Sequence, residues 1–344
     1  MAEILFFSSP IGLGHAARDL AIINQLQIES CKVFSGSSAI EFFHKNKIET
    51  LDVYSPPRFD VIDGKLEKSL KWLWSYYKYY KTCKKISSKI ISDEKPKLII
   101  SDEDFASVAI AQKRKIPNII ITDILETKFT TGFGGMIEKK MNKTMQIMLD
   151  RANKVIIPEL GKNQNNIIRT GPIVRKIEKN RDEIRKALNF EKKTIVLSVG
   201  GTDAGIFLIK QTIEAVKKIQ IDLDLVLVSG PKITEKFSES IKNLGFIKNL
   251  HEIIFASDLV ISLAGKSTID ESLVYGTPGI FIPIKDHFEQ EDNAKEMGFN
   301  FEDIFNLENL IKEKLNKNRN EREQNGVDLA GMEISKILLN ENND

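Results

Sequence analysis

Short apolar runs alternate with amphipathic segments along most of the chain. Each run is rich in branched side chains and bounded by polar turns, which is typical of a strand buried on both faces. Such strands are predicted at 3–8, 32–35, 97–101, 118–122, 154–157, 194–199, 225–228, 259–263 and 279–283. Helices are predicted between several of them, as at 16–27, where apolar residues recur at helical spacing. The alternation predicts an α/β fold of doubly wound parallel sheets, with ligand-binding loops at the carboxyl ends of the strands.

The length of the chain predicts two domains. Its 344 residues are enough for two hydrophobic cores. The stretch 161–172 is polar and loop-like and ends in Gly-Pro, which marks the predicted boundary. We therefore expect one Rossmann-like domain over 1–172 and a second over 173–326, followed by a helical segment at 327–344.

The overall charge gives no reason to expect a nucleic-acid-binding protein. The net charge is +2, and the chain is 42% hydrophobic and 28% charged, as in ordinary globular proteins. Two cysteines, Cys31 and Cys83, are too few for a disulfide framework. No basic segment precedes the first apolar run, and no run reaches the roughly 20 residues of a membrane-spanning helix. These features predict a cytoplasmic protein with reduced thiols.

Candidate catalytic residues follow two predicted strands of the first domain. A turn containing Gly12 and Gly14 follows the first strand, and His15 stands at its end. An imidazole near its ordinary pKa suits a base at neutral pH. Asp102 directly follows another strand, so its carboxylate is expected at the same rim, holding one imidazole nitrogen while the other accepts a proton. Two simpler interpretations are a structural histidine and a carboxylate that caps the following helix.

The stretch 258–294 carries the clearest functional signal. A buried strand leads into the small-residue turn 264–268, Ala-Gly-Lys-Ser-Thr, and then into a helix. Backbone N–H groups at such a turn point outward beside the positive end of the helix dipole, so the turn suits a phosphate. A second buried strand and the polar loop 287–294 follow. The glycine-rich turn 200–205 is a weaker signal of the same kind.

The order and spacing of these motifs resemble the donor-sugar half of the family 28 glycosyltransferases, the MurG-like enzymes. The match runs through Ala264-Gly265-x-Ser267-Thr268-x-x-Glu271, Gly276-x-Pro278, Ile282-Pro283 and Gln290-x-x-Asn293-Ala294. The resemblance implies the GT-B architecture, in which two Rossmann-like domains face each other across a cleft. It also implies that the segment 327–344 forms a helix that packs back on the N-terminal domain.

The resemblance assigns donor-binding roles in the second domain. Glu271 is expected to bind the ribose hydroxyls, Gln290 the sugar hydroxyls, and the backbone of Ile247 the uracil ring. The other expected donor-binding residues are Gly200, Gly201, Thr202, Gly265, Lys266, Ser267, Thr268 and Asn293. Two features depart from the family pattern. Asp203 places a carboxylate beside the expected diphosphate, and the stretch 171–175 lacks an asparagine that the family often has.

The resemblance predicts a metal-independent, inverting transfer of a sugar, such as N-acetylglucosamine, from a UDP-sugar to a hydroxyl acceptor. Gly12 and Gly14 resemble the family's acceptor-side loop, in which a histidine helps to deprotonate the acceptor. No cofactor or metal is expected, although Asp102-x-Asp104 matches the metal-binding motif of the other large glycosyltransferase fold. The alternatives are a nucleotide-sugar hydrolase, a UDP-sugar 2-epimerase, or a sugar-nucleotide-binding protein without catalytic activity.

The segment from Lys65 to Lys89 combines many lysines with a cluster of tryptophans and tyrosines. A helix of this composition can lie at a membrane interface and be attracted by anionic lipid. This interpretation predicts a peripheral protein at the inner face of the membrane. The alternative is an amphipathic helix that covers the first domain, with its aromatic side chains in the core and its lysines in water.

Overall fold

The structure, a computed structural model, describes residues 3–26, 31–67, 69–128, 132–200, 203–231, 233, 235, 237, 241–320 and 322–341. The chain divides into two compact units, each with its own parallel sheet. The first unit comprises Met1–Arg58, Lys68–Val174 and Asn325–Asp344. The second comprises Phe59–Glu67 and Arg175–Gln324. The predicted α/β class with two Rossmann-like domains is confirmed.

The first unit is built on a seven-stranded sheet in which every neighbouring pair is parallel. Its strands are β1 (Ile4–Ser8), β2 (Cys31–Gly36), β3 (Thr50–Tyr54), β6 (Leu98–Asp102), β7 (Asn118–Ile121), β8 (Lys154–Ile157) and β9 (Ile167–Arg169). They lie in the order β3-β2-β1-β6-β7-β8-β9. The helices of this unit are α1 (Gly14–Leu26), α2 (Ser38–Lys45), α3 (Ser69–Glu94), α4 (Phe105–Lys113), α5 (Gly132–Arg151) and α12 (Val327–Glu341).

The second unit has a five-stranded parallel sheet and a short antiparallel hairpin. The sheet strands are β10 (Lys193–Ser198), β11 (Leu223–Val228), β12 (Lys242–Asn243), β13 (Leu259–Leu263) and β14 (Gly279–Ile282), in the order β12-β11-β10-β13-β14. The hairpin pairs β4 (Asp60–Ile62) with β5 (Lys65–Glu67). The helices are α6 (Arg181–Leu188), α7 (Ile206–Lys218), α8 (Leu250–Ala256), α9 (Lys266–Tyr275), α10 (Phe288–Glu296) and α11 (Leu307–Leu315).

The β4–β5 hairpin changes the domain bounds expected from the sequence. It lies within the predicted first domain, 1–172, yet it packs in the second unit. The backbone N–H of Leu66 donates to Lys285 O at 2.8 Å, and the N–H of Lys285 donates to Gly64 O at 2.8 Å. The Phe59 ring lies 5.2 Å from the His287 ring. Backbone pairing between segments so distant in the chain leaves no periodic pattern from which it could be predicted.

The predicted strands correspond to β1, β2, β6, β7, β8, β10, β11, β13 and β14. Three strands at sheet edges, β3, β9 and β12, were missed. β9 lies within the stretch 161–172 that was predicted to be a loop. Its residues are only half-buried, because an edge strand has a neighbour on one side, and its pattern is therefore weaker than that of a central strand.

Helix α3 covers the core of the first unit through one of its faces. Cys83 and Ile91 are buried against β-strand residues such as Leu5 and Ile99, and Tyr79 and Tyr80 pack against the same cluster. Most of the lysines of the segment lie outside this contact and are exposed. The helix therefore has the core-covering role that was one of the two interpretations of its sequence.

The last helix, α12, packs against α1 of the first unit. The approach is close, since a Cβ added to Gly331 would lie 2.8 Å from the side chain of Gln25. The turn into the helix is held by Asn325, whose side chain accepts from Val174 N at 3.2 Å and donates to Val174 O at 2.8 Å. Among the described residues, no helix combines the length and the apolar character that crossing a membrane requires.

The close approach of β2 to β3 makes Gly36 a point where packing can be tested. A Cβ at residue 36 would lie 1.8 Å from the backbone oxygen of Tyr54. We expect Gly36→Ala to lower the free energy of unfolding by about 3 kcal/mol or more, because the backbone of β3 has to move. Gly12→Ala is the control: its φ of 77° strains alanine, but no atom lies within 4 Å of the added carbon. It should cost only about 1 kcal/mol, and equal losses in urea unfolding would contradict the steric explanation.

Candidate functional site

The first candidate site lies at the carboxyl ends of β1 and β6. These strands are paired so that Ser8 lies beside Asp102. The turn after β1 contains Gly12, with φ of 77°, and leads into α1, where Gly14 and His15 are the first two residues. His15 Nδ1 lies 2.9 Å from Asp102 Oδ1. The structure thus brings together the two residues that the sequence analysis proposed as base and partner.

Arg18 is the residue of this site that the sequence analysis missed. It is buried, and it binds both oxygens of Asp102, with Nε–Oδ2 at 2.8 Å and Nη2–Oδ1 at 2.7 Å. Its third nitrogen donates to Asp123 Oδ2 at 3.0 Å. A bidentate arginine–carboxylate pair fixes geometry as well as charge. The only sequence signal was its position three residues after His15, which places both side chains on one face of the helix.

These contacts settle the charges of the two central groups. Burial alone would raise the pKa of Asp102, but Arg18 and then His15 outweigh it and hold that pKa well below its usual range. Burial lowers the pKa of His15, yet the carboxylates of Asp102 and Glu103 outweigh burial and raise it to about 9. The expectation of an imidazole near its ordinary pKa is therefore wrong: His15 is protonated at neutral pH in this cluster.

The two neighbouring carboxylates of the Asp-Glu-Asp sequence point to different partners. Glu103 Oε2 lies 3.7 Å from His15 Nε2. Asp104 instead accepts from Ala106 N at 3.2 Å, which caps α4, and from the hydroxyl of Tyr54 at 2.8 Å. The capping interpretation thus fits Asp104 and the histidine-pairing interpretation fits Asp102. Among the described residues, no group of three or more histidine, cysteine, aspartate or glutamate side chains is arranged to hold a metal ion.

The second candidate site lies in the second unit, where β13 leads into α9. Ala264 and Ile269 are buried, whereas the four residues between them, 265–268, are half-buried and accessible. Gly265 is the N-cap residue, and no side chain caps the helix there. Space is open beside Gly265, since no atom lies within 4 Å of a Cβ placed on it. The N–H groups of this first turn, which includes Ser267 and Thr268, suit an anionic group.

Lys266 has a partner in the first turn of α9. Its ammonium donates to Asp270 Oδ1 at 2.9 Å, and Asp270 is only 2% exposed. A lysine held in this way still adds positive charge to the mouth of the turn, although part of that charge is compensated by Asp270.

Glu271 lies in the second turn of α9 and is almost fully buried. Its Oε1 accepts from Arg175 Nη2 at 3.1 Å. Arg175 also donates to Lys248 O at 2.6 Å, and its own carbonyl accepts from the Tyr275 hydroxyl at 2.7 Å. Burial raises the pKa of Glu271, and Arg175 opposes that shift. Arg175 had been given no role from sequence, and it links Glu271 to Lys248, the residue that directly follows Ile247.

Gln290 and Asn293, expected to bind the donor, are bonded to the backbone of neighbouring loops. Gln290 Oε1 accepts from Ile284 N at 3.0 Å, and Asn293 Nδ2 donates to Ala264 O at 3.2 Å. The second bond ties α10 to the turn that precedes α9. Both side chains therefore brace the loops around the second site.

The remaining expected donor-binding residues are Gly200, Gly201, Thr202 and Ile247. Gly200 follows β10 with φ of 78° and open space beside it, as the glycine of a ligand loop requires. Gly201 and Thr202 lie outside the residues that the structure describes. Ile247 is half-buried between Gly245 and α8.

Comparison with known proteins gives the same assignment for the second half of the chain and for the fold. Residues 194–339 match the model of the glycosyltransferase family 28 C-terminal domain. An uncharacterized glycosyltransferase of Methanosarcina mazei is 26% identical, covering 85% of this chain and 83% of the relative. A UDP-N-acetylglucosamine–N-acetylmuramyl-(pentapeptide) pyrophosphoryl-undecaprenol N-acetylglucosamine transferase of Clostridium perfringens is 27% identical, covering 96% of this chain and 93% of the relative.

A solved structure extends the likeness in fold to the whole chain. The glycotransferase of kitacinnamycin superimposes with a TM-score of 0.70 over 98% of this chain and 100% of its own. The sequence identity in this comparison is 12%, so the likeness concerns the fold alone.

The raised pKa of His15 predicts a pH dependence of stability. Its folded pKa of about 9 exceeds the ordinary 6.5, so its contribution to stability is complete below pH 6.5 and is lost as the pH rises through 9. We expect wild type to lose up to roughly 3 kcal/mol of unfolding free energy across this range relative to His15→Gln. Urea unfolding at a series of pH values measures this difference. Parallel pH curves for the two proteins would contradict the assigned charge of His15.

Proposed function

Because the chain is a family 28 glycosyltransferase, we propose that it transfers a sugar from a UDP-sugar to a hydroxyl group of an acceptor, with inversion at the anomeric carbon. The name of the Clostridium perfringens relative supports N-acetylglucosamine as the sugar. The observation that carries the proposal is the contact between Asp102 and Nδ1 of His15. It leaves Nε2 as the nitrogen that accepts a proton.

In the proposed donor site, the diphosphate binds at the first turn of α9, against backbone N–H groups that no side chain caps. Lys266 adds positive charge there, and Glu271 accepts hydrogen bonds from the ribose. Arg175 orients the carboxylate of Glu271 for this role. The side-chain oxygen of Gln290 accepts a hydrogen bond from the backbone N–H of Ile284, and in this proposal its amide nitrogen donates to a hydroxyl group of the sugar.

In the proposed reaction, His15 first loses its Nε2 proton to solvent and then takes the proton of the acceptor hydroxyl on Nε2. The acceptor oxygen then forms its bond to the anomeric carbon while the bond from that carbon to the diphosphate breaks, and UDP leaves with the electron pair. Asp102 and Arg18 keep the imidazole oriented and Asp102 stabilises the imidazolium that forms. We propose that no metal takes part, because helix N–H groups can meet the charge of the leaving diphosphate.

A pair of variants separates the two proposed sites. His15→Gln should lower sugar transfer 10²- to 10⁴-fold, the usual contribution of a general base, while calorimetric affinity for UDP stays at the wild-type value. Glu271→Gln should lower UDP affinity about tenfold, because a hydrogen bond to a charged group is lost. Glutamine is chosen so that buried Arg175 keeps a polar partner. The matched control is His44→Gln, an exposed histidine of α2.

The assay measures UDP release from UDP-N-acetylglucosamine in the presence of EDTA, with and without a panel of hydroxyl acceptors. Acceptor-dependent release supports the transferase. Equal release without any acceptor would identify a hydrolase. Activity that requires manganese would support the interpretation of Asp102-x-Asp104 as a metal-binding motif. If His15→Gln were fully active, His15 would not be the general base of the reaction.

We further propose that α3 contacts an anionic membrane surface. Trp74 is 56% exposed and stacks on Tyr77 at 5.7 Å, and Lys81 lies over the Tyr77 ring at 4.5 Å. An exposed aromatic pair beside lysines suits the interface between headgroups and water. The core-covering role of the opposite face is compatible with this contact.

Vesicle binding tests the membrane proposal. Binding should rise with the anionic lipid fraction and fall with salt, and it should be lost after reversing the charge of Lys78, Lys81 and Lys84. The control reverses three exposed lysines of α7, namely Lys210, Lys217 and Lys218, and should leave binding unchanged. Co-sedimentation with phosphatidylserine vesicles measures the effect. An equal loss in both variants would mean that only net charge matters.

A further inference from the structure

Glu103 stands out in the first site because its backbone is strained. It directly follows β6 and has φ of 53°, a left-handed conformation that is unfavourable for a residue with a side chain. Its N–H donates to Ile121 O at 3.1 Å, and it makes an isolated antiparallel bridge with Ser8. Contacts on both sides thus hold an unfavourable conformation, and residues held in this way are concentrated at functional sites.

The strained backbone aims the carboxylate of Glu103 at His15. One oxygen is fixed, since Oε1 accepts from the hydroxyl of Thr122 at 2.9 Å and from Asp123 N at 3.3 Å. The other oxygen, Oε2, lies 3.7 Å from His15 Nε2. Since Asp102 binds Nδ1, the imidazole lies between two carboxylates, and Glu103 is on the side where the mechanism needs a free lone pair.

The 3.7 Å between Oε2 and Nε2 is too long for a hydrogen bond, but at this distance a carboxylate attracts an imidazole that carries a proton. We propose that His15 and Glu103 form an imidazolium–carboxylate ion pair in the resting enzyme, and that Glu103 is a positioning residue that controls when His15 can accept the proton of the acceptor. This inference rests on the proposed function only where it describes the effect of Glu103 on the transfer reaction. The ion pair itself is a property of the first unit.

The charges around the imidazole support this arrangement. The groups that interact with it are Asp102 at the end of β6, Glu103 after it, Arg18 on α1 and Asp123 after β7, and Asp19 on α1 interacts with Asp102. Burial and Asp123 raise the pKa of Glu103, while His15 opposes them. Burial and Asp102 raise the pKa of Asp19. The two acids without a direct contact to Arg18, Glu103 and Asp19, thus have raised pKa values, and the cluster tends to retain protons.

The proton balance follows directly. The imidazolium proton on Nε2 first leaves to solvent, which the 17% exposure of the His15 side chain and the 13% exposure of Glu103 permit. Nε2 of His15 is then unprotonated and Glu103 is ionised. The acceptor hydroxyl next gives its proton to Nε2, so that the pair again holds one proton after the sugar has been transferred. Transfer should therefore become faster as the pH rises towards 9, the pKa of His15.

The decisive experiment is an NMR titration of His15, which needs neither donor nor acceptor. The chain has 4 histidines, and His15→Gln identifies the His15 signal by its loss. Wild-type His15 should titrate near pH 9. Glu103→Gln should lower that midpoint by about one unit or more, because removing the carboxylate charge removes its stabilisation of the imidazolium. Glu126→Gln, an exposed glutamate after β7, should leave it unchanged.

An unchanged midpoint in folded Glu103→Gln overturns the proposal, as does an equal shift in Glu126→Gln. If Glu103→Gln fails to fold, Glu103→Asp keeps the charge but moves it away from Nε2, and a smaller fall in the midpoint is expected. Absence of any transferase activity would count against the proposed function and leave the titration result standing.

Kinetics provide the second measurement if transfer is observed. The alkaline rise in the rate should move to lower pH in Glu103→Gln, so that activity at pH 7, relative to the variant's own maximum, increases up to about tenfold. A variant with the wild-type pH profile overturns the proposal, and so does one that loses activity equally at every pH, because a merely structural Glu103 would give that result.

Discussion

The buried carboxylate of Asp102 is the constraint on which the first site depends. An ionised carboxylate without a partner costs several kcal/mol in a protein interior, and Asp102 is fully buried at the end of a central strand. Arg18 and His15, both on α1, compensate its charge. The start of α1 is thereby fixed against β6, and the imidazole is fixed with it. The contacts of one buried carboxylate thus determine the orientation of the proposed base and contribute to its charge.

The second unit uses the same arrangement for a different purpose. Glu271 is buried in α9, and Arg175 compensates its charge while bonding to a neighbouring loop through Lys248. Asn293 holds the turn at Ala264 from the other side. The first turn of α9 is therefore held between fixed neighbours, and its N–H groups keep their direction. A site that binds a diphosphate through N–H groups needs this rigidity, because those groups cannot adjust as side chains can.

The central strands could be predicted because burial on both faces leaves a continuous apolar run, as in β1, β6 and β13. The edge strand β9 and the β4–β5 hairpin have no such pattern, since their pairing comes from segments far away in the chain. Among the site residues, His15 and Asp102 were found because both lie near the carboxyl end of a predicted strand, His15 after a glycine turn and Asp102 at the end of an apolar run. Arg18 and Arg175 were not found, because an arginine that compensates a buried acid looks like any surface arginine in a sequence.

The sequence by itself determined the α/β class, the division into two units and the ends of the strands where chemistry is possible, since these follow from local periodicity and turn residues. Only the tertiary structure decided the charges. Whether His15 is neutral or protonated depends on burial and on carboxylates at positions 102 and 103, which local sequence places near a rim but not at a distance. The left-handed backbone of Glu103 likewise depends on β1 and β7. Electrostatic energy varies with distance and dielectric environment, and folding alone determines both.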